Sequence, residues 1–327
     1  MGTLYTEEYL YVIDALNALL AQSMRWAKAD FRVQAAELPR LHRIRGRMPL
    51  LQSLVFEQWE QFYNWEDFSV PIDPGFARFV NAFEDSPSLT HLTLYMPNLK
   101  GWKCDWSSIV VLRLKSLSTA DGLVAALSQS MRLEELEVTW AAANSISEQI
   151  EIALSMITLT SLKTLALPSN VFNVLEVLTT PGLEHLSIKF RDSDEHGGIV
   201  KAFLRRSFCP LRHLVLESPR PAVAVEVLSV VPGLPSLEIR HYNNVNGIIK
   251  VFNCNLPEGA SLIGPRLKSF QVQLKGGLTQ EAVVELSAMV ASRAQNVEVD
   301  GLQELTLWAD CSWTKINLTA LQSQCEE

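Results

Sequence analysis

The stretch LTSLKTLALPSNVF (residues 159–172) places Leu162, Leu165 and Leu167 three and then two residues apart, with polar residues between them. Residues two apart on a strand point the same way, and an apolar residue three positions earlier can turn inward just before the strand begins. The same triplet occurs ten times, with first members Leu51, Leu89, Ile109, Leu133, Leu162, Leu183, Leu211, Leu234, Leu267 and Leu302. All key positions are apolar, and besides Ile109 the only non-leucines are Phe56, Val138, Ile188, Ile239, Phe270 and Val272. From Leu51 to Leu302 the nine steps average about 28 residues, which suits a unit of one short strand plus one helix. No such unit can bury its own apolar edge, so the units must stack and the end units need a cover.

Between the triplets lie segments of helical period. In FARFVNAF, Phe76, Phe79, Val80 and Phe83 share a face, and in ISEQIEIALSMI, Ile150, Ala153, Leu154 and Ile157 do. Ser118 with Asp121 and Ser145 with Glu148 have the spacing of a capping box, marking two helix starts. At the N-terminus, Tyr9, Val12, Ile13, Leu16, Leu19 and Leu20 form one stripe of an amphipathic helix, and acids rather than a basic run precede it, against a signal peptide. The segment LTQEAVVELSAMVASRAQ (278–295) reads as the last outer helix, with Trp308 and Trp313 closing the C-terminal end. CNLPEGASLIGP (254–265) is the best protruding loop and is too short for an interdomain linker. One continuous domain over 1–327 is therefore expected, with 7–50 as N-terminal helical cap and lead-in to the first turn.

Composition narrows the partners. A net charge of -8 and pI near 5.4 disfavour nucleic acid over most of the surface. No run of 18 uncharged apolar residues suggests a membrane span. The 5 cysteines are scattered without a C-x-x-C, which argues against a disulfide framework or zinc knuckle and for a reducing compartment. A cytoplasmic location is expected, with the nucleus as the alternative.

Ten L-x-x-L-x-L units resemble the leucine-rich repeat family. The phrases SMRWAKADF (23–31), RLHRIRGRMPLLQSL (40–54) and RSFCPLRHLVL (206–216) are similar to the repeat region of F-box proteins from mushroom-forming (basidiomycete) fungi. The resemblance implies an α/β leucine-rich repeat solenoid: a curved parallel sheet on the concave side and helices on the convex side. It also implies the substrate-recognition part of a cullin-type ubiquitin ligase subunit. No LP-x-E opening or F-box-like cluster precedes residue 20, so a ligase adaptor is expected as a partner only if an F-box exists outside this chain. Only Asn170 occupies the family's asparagine position after the third anchor, so no asparagine ladder is expected.

In the solenoid, residues flanking the second and third anchors face the concave surface. The strip so defined is mixed in sign, and its candidate protein-binding residues are Tyr95, Arg113, Lys115, Glu135, Glu137, His185, Lys189, His213, Glu217, Glu238, Arg240 and Trp308. Arg113 and Lys115 should lie beside Glu135 and Glu137, and Lys189 beside Glu217. Two readings fit: pairs that neutralise each other on a solvated surface, each worth at most about 1 kcal/mol, or a patterned face that grips a protein.

Chemistry finds little support. His185 and His213 fall on adjacent strands, but no third ligand stands beside them, so no metal is expected. There is no G-x-S-x-G or H-E-x-x-H. GASLIGPR (259–266) has P-loop glycine spacing but carries Pro265 and Arg266 where the phosphate-binding pair belongs. Cys209 reads as a small buried residue rather than a reactive thiol. Arg40, Arg43, Arg45 and Arg47 form the one basic concentration, which fits a solvated patch near the cap, nuclear targeting or contact with an acidic partner. Trp59 and Trp65 read as packing residues near the first turns. The chain is expected to be a non-enzymatic protein-binding repeat protein without cofactor, nucleic acid or membrane; the alternative is a stand-alone scaffold or inhibitor unrelated to ubiquitination.

Overall fold

The computed structural model describes residues 15, 17–34, 41–59, 81–95, 99, 102–115, 117, 122–139, 156–191, 196–242, 252, 264–274, 280–295, 302–309 and 312–317. Most of 76–83, of 146–157 and of the 254–265 loop lies outside them, as do both capping-box serines, Trp65, and Cys254, Cys311 and Cys325. The chain divides into two compact units, Met1–Ile152 and Ala153–Glu327.

In the first unit five parallel strands run side by side: β1 (Lys28–Gln34), β2 (Ser53–Trp59), β3 (His91–Tyr95), β4 (Val111–Leu114) and β5 (Glu135–Val138). Their registers superimpose the anchors, with Leu54 opposite Leu92, Leu92 opposite Leu112 and Leu112 opposite Leu136. Strand β1 lies where a lead-in was expected. Trp26, Ala29 and Phe31 are its triplet, and Ala29 and Phe31 pair with Leu54 and Phe56. Phe31, Phe56, Phe83 and Trp102 pack as one aromatic cluster, with Phe83 stacked on Trp102 at 5.6 Å between centroids. Phe83 thus fills the core from a turn rather than from a helix face. Residues 17–21 are helical, as expected of the cap, and Leu20 is buried. Arg43 ties this segment down by donating to Asn17 at 3.0 Å. Helix α1 (Leu123–Gln129) has Gly122, at φ 77°, as its N-cap.

The second unit repeats the pattern with β7 (Thr164–Pro168), β9 (His185–Lys189), β10 (His213–Glu217), β11 (Ser236–Tyr242), β12 (Ser269–Leu274) and β13 (Glu304–Ala309), all parallel. Strand β14 (Ser312–Asn317) folds back antiparallel on β13 and sets Trp313 opposite Trp308, ending the parallel run. Behind the sheet, β6 (Ile157–Thr158) and β8 (Leu178–Thr179) form a two-stranded pair, so Ile157 is a strand residue and not part of a helix face. Helices α2 (Asn173–Val177), α3 (Gly197–Ser207), α4 (Pro221–Leu228) and α5 (Gln280–Gln295) supply the outer layer, the last within the stretch read as the final outer helix. On α3, Val200, Phe203, Leu204 and Ser207 are buried, the i, i+3, i+4, i+7 stripe of an amphipathic helix. Arg206 caps α2 by donating to the carbonyls of Leu175 and Leu178, groups that a helix end leaves without partners.

All ten triplets are buried in every member. Each buried leucine contributes about 1.5–3 kcal/mol relative to exposure, so the stack of anchors dominates the stability of each unit. Main-chain bonds fix how the turns meet. In most turns the N–H of the first anchor donates to the carbonyl three residues before it, as Leu89 does to Ser86 at 3.1 Å and Leu183 to Thr180 at 3.2 Å. The carbonyl after the first anchor then accepts two N–H groups from the next turn: Gln52 O from Thr90 and His91, and Glu184 O from Arg212 and His213. The repeated part of the seam is main-chain, with side chains such as the Thr90 hydroxyl, which also donates to Gln52 O at 3.2 Å, adding to it in places, and this holds register without a row of asparagines. Buried L-x-x-L-x-L triplets on stacked parallel strands, backed by helices, define an α/β leucine-rich repeat solenoid.

Candidate binding face

Each strand turns its even-numbered or odd-numbered set inward and leaves the alternate set on the open face of the sheet. On β4 the buried residues are Leu112 and Leu114, and on β5 they are Leu136 and Val138, so Arg113, Glu135 and Glu137 stand out together. Arg113 bridges two carboxylates: its Nε donates to Glu135 at 2.8 Å and lies 3.5 Å from Glu137. Lys115 completes the row by donating to Glu137. Tyr95 follows Leu94, which pairs with Leu114, so Tyr95 stands at the end of β3 beside this cluster. The strip begins on β1, one strand before the first leucine triplet. Arg32 on β1 pairs with Glu57 on β2 at 3.4 Å and approaches Asp30 at 3.9 Å. The alternation in KADFRVQ was the sign of this strand.

In the second unit the open face carries charged pairs as well. Lys189 pairs with Glu217 on the next strand. Arg240 grips Glu238 with two bonds, Nε to Oε1 at 2.6 Å and Nη2 to Oε2 at 3.1 Å. Glu238 is only 8% exposed, and a carboxylate there needs the paired guanidinium to offset its lost hydration. That hydrogen bond also raises the pKa of Arg240, ahead of the opposing effect of burial. His213 lies 3.8 Å from Glu238 and 2.9 Å from the Ser236 hydroxyl. Burial holds its imidazole below the usual range and outweighs the opposing pull of Glu238, while neighbouring His185 and Arg240 lower it further. The rings of His185 and His213 are 6.0 Å apart. Trp308 belongs to the same face but stands two strands beyond Arg240, with β12 between.

The structure therefore gathers the candidate residues into two clusters, Tyr95–Arg113–Lys115–Glu135–Glu137 in one unit and His185–Lys189–His213–Glu217–Glu238–Arg240 in the other. Among the described residues no three His, Cys, Asp or Glu groups come together as a metal site. Burial raises the Cys209 thiol and pushes Cys104 up to about 12, so neither is primed as a thiolate. In the basic segment, Arg45 is held by Glu84 at 2.6 Å and Asp85 at 3.4 Å, a structural role. No helix among the described residues is long and apolar enough to cross a membrane.

No family model matches the chain, and no curated protein matches it. Among solved structures it is similar to a chain of the crystal structure of the TLR13-ssRNA13 complex, at 16% identity and a TM-score of 0.37, covering 75% of this chain and 39% of that one. The chain thus spans about two-fifths of the length of that structure.

Proposed function

We propose that this chain is a non-catalytic protein-binding leucine-rich repeat protein that grips a partner through the open face of its sheet. The observation that carries the reading is the pre-ordered polar face: Arg113 spans Glu135 and Glu137, and Arg240 clasps a nearly buried Glu238. Side chains fixed before binding lose less freedom on association, which favours recognition by shape and charge pattern. Since the face neutralises most of its own cations, it offers little net attraction to a phosphate backbone, and a protein is the better-matched partner. The resemblance to fungal F-box repeat regions extends the reading to substrate recognition for a cullin-type ligase, with the adaptor contacted through an F-box outside this chain. One continuous solenoid domain is part of the same proposal.

The test replaces Arg113, Glu137, Tyr95 and Trp308 with alanine together. Circular dichroism should show a folded protein, and affinity purification with mass spectrometry from the source organism should lose the partner that the unaltered chain recovers. Recovery of the same partner by the variant would place binding on another surface. Ligase components that co-purify only when an F-box is fused in front support the pathway; a partner retained with no ligase component in either case favours a stand-alone scaffold.

A further inference from the structure

Outside the open face, the first unit carries a second surface along the turns that lead into its strands. The tripeptide Ser-Met-Arg occurs there twice, as Ser23-Met24-Arg25 before β1 and Ser130-Met131-Arg132 before β5. Both copies hold the same register: the serine is fully buried, whereas Met24 is 50% and Met131 56% exposed. Leu50, 55% exposed, fills the Arg25 slot in the turn before β2. The turn itself does not require these side chains, because Pro87 and Ser107 occupy the methionine slot in the turns between. The arginines also differ from the cations of the open face. Arg25 and Arg132 have no carboxylate partner among the described residues, whereas Arg113, Lys115, Lys189 and Arg240 are all paired. Of the acids in the turns between, Glu84 and Asp85 are held by Arg45, and Asp105 is engaged by the Ser107 N–H and the Ser107 and Ser108 hydroxyls. An acidic chain thus presents a locally basic rim dotted with adaptable apolar side chains.

We propose that this leading rim of the first unit binds an acidic segment of a partner protein, whose apolar side chains rest on Met24, Leu50 and Met131 and whose carboxylates meet Arg25 and Arg132. Four strand spacings of about 4.8 Å separate the two Ser-Met-Arg copies, so the rim spans roughly 19 Å. A helix of about 13 residues covers that length. The proposal is separate from the open-face reading and does not rest on it.

The probe is a fluorescein-labelled amphipathic peptide of about 15 residues, leucine on one face and glutamate on the other, long enough for that span. Its partner control carries glutamine for every glutamate. Fluorescence anisotropy should show the acidic peptide binding at least about tenfold more tightly than the control, with affinity falling as salt rises. The R25E/R132E and M24S/M131S variants should each weaken it by about tenfold or more with unchanged circular dichroism, since serine already occupies the methionine slot elsewhere. Equal binding of the two peptides, or unaltered affinity in R25E/R132E, overturns the proposal. So does a concentration-dependent dimer, seen by sedimentation, that M24S/M131S abolishes, for then the occupant is a second copy. Pelleting with vesicles of phosphatidylcholine and phosphatidylserine in the absence of peptide binding overturns it as well.

Discussion

Two glycines that share a Pro-Gly-Leu tripeptide allow a direct test of how tightly the turns of the second unit approach each other. Gly182 lies in PGLEHL and Gly233 in PGLPSL, each one residue before the first anchor of its triplet. A Cβ built on Gly182 would stand 2.5 Å from the carbonyl oxygen of Thr160 and 3.5 Å from that of Leu162, while one on Gly233 meets nothing within 4 Å. The obstacle at Gly182 is main chain. It belongs to a turn pinned by Leu159 N donating to Thr179 O at 2.9 Å, so no rotamer change relieves it. The turn before Gly233 is built differently: Leu211 N reaches Cys209 O across Pro210, and Phe208 adopts φ 46°. Forcing one methyl into a packed site costs about 1–3 kcal/mol, against about 0.4–1 kcal/mol gained by removing glycine freedom from the unfolded chain. Gly182→Ala should therefore destabilise by about 1–2 kcal/mol, and Gly233→Ala should be neutral or stabilise by up to about 1 kcal/mol. Urea titration followed by circular dichroism and tryptophan fluorescence measures both, with coincidence of the two probes as the check for a single transition. If the variants differ by less than about 0.5 kcal/mol, within the ordinary scatter of surface substitutions, the turns are not in the contact described.

The depressed pKa of His213 means the folded state holds its proton less firmly than the unfolded chain, so its contribution is present above about pH 6.5 and is lost as pH falls through the folded value. Stability should drop on acidification over that window, His213→Asn should flatten the slope, and an unchanged slope would remove the assignment. Cys104, pushed up to about 12, should resist a thiol reagent at mildly alkaline pH in the native protein and react promptly in urea; fast native labelling would contradict its burial. Ser207→Ala strips the acceptor from the buried Thr180 N–H, a bond of 3.1 Å, and should cost about 1–3 kcal/mol. The exposed Ser229→Ala control should stay within about 0.5 kcal/mol by urea titration.

The strands were legible because their anchors are chemically extreme. A leucine triplet at fixed spacing has one good use on a stacked strand, and the alternation around it names the outward residues directly. Strand β1 was missed because Trp26, Ala29 and Phe31 do the same work with side chains outside the leucine pattern. The periodicity that enrolled Ile157 in a helix also fits a two-residue strand, and pairing with Leu178 decides between them. On the face, the neighbours of Arg113 and Lys189 followed from strand order. The pairing within β11 did not, since Glu238 and Arg240 lie two apart on one strand and only the partly buried position of Glu238 makes their bidentate bond worthwhile. The leading rim was readable only in part: the two Ser-Met-Arg copies stand in the sequence, but their shared register and exposure needed the folded turns.

The doubled carbonyl acceptor that stitches one turn to the next has an evolutionary corollary. Because the repeated part of this stitch is made by main-chain groups, lineages could rewrite most outward residues, or splice whole turns in and out, and still keep these joints. Drift in what such a protein recognises would then be limited by its partners and hardly at all by its own architecture.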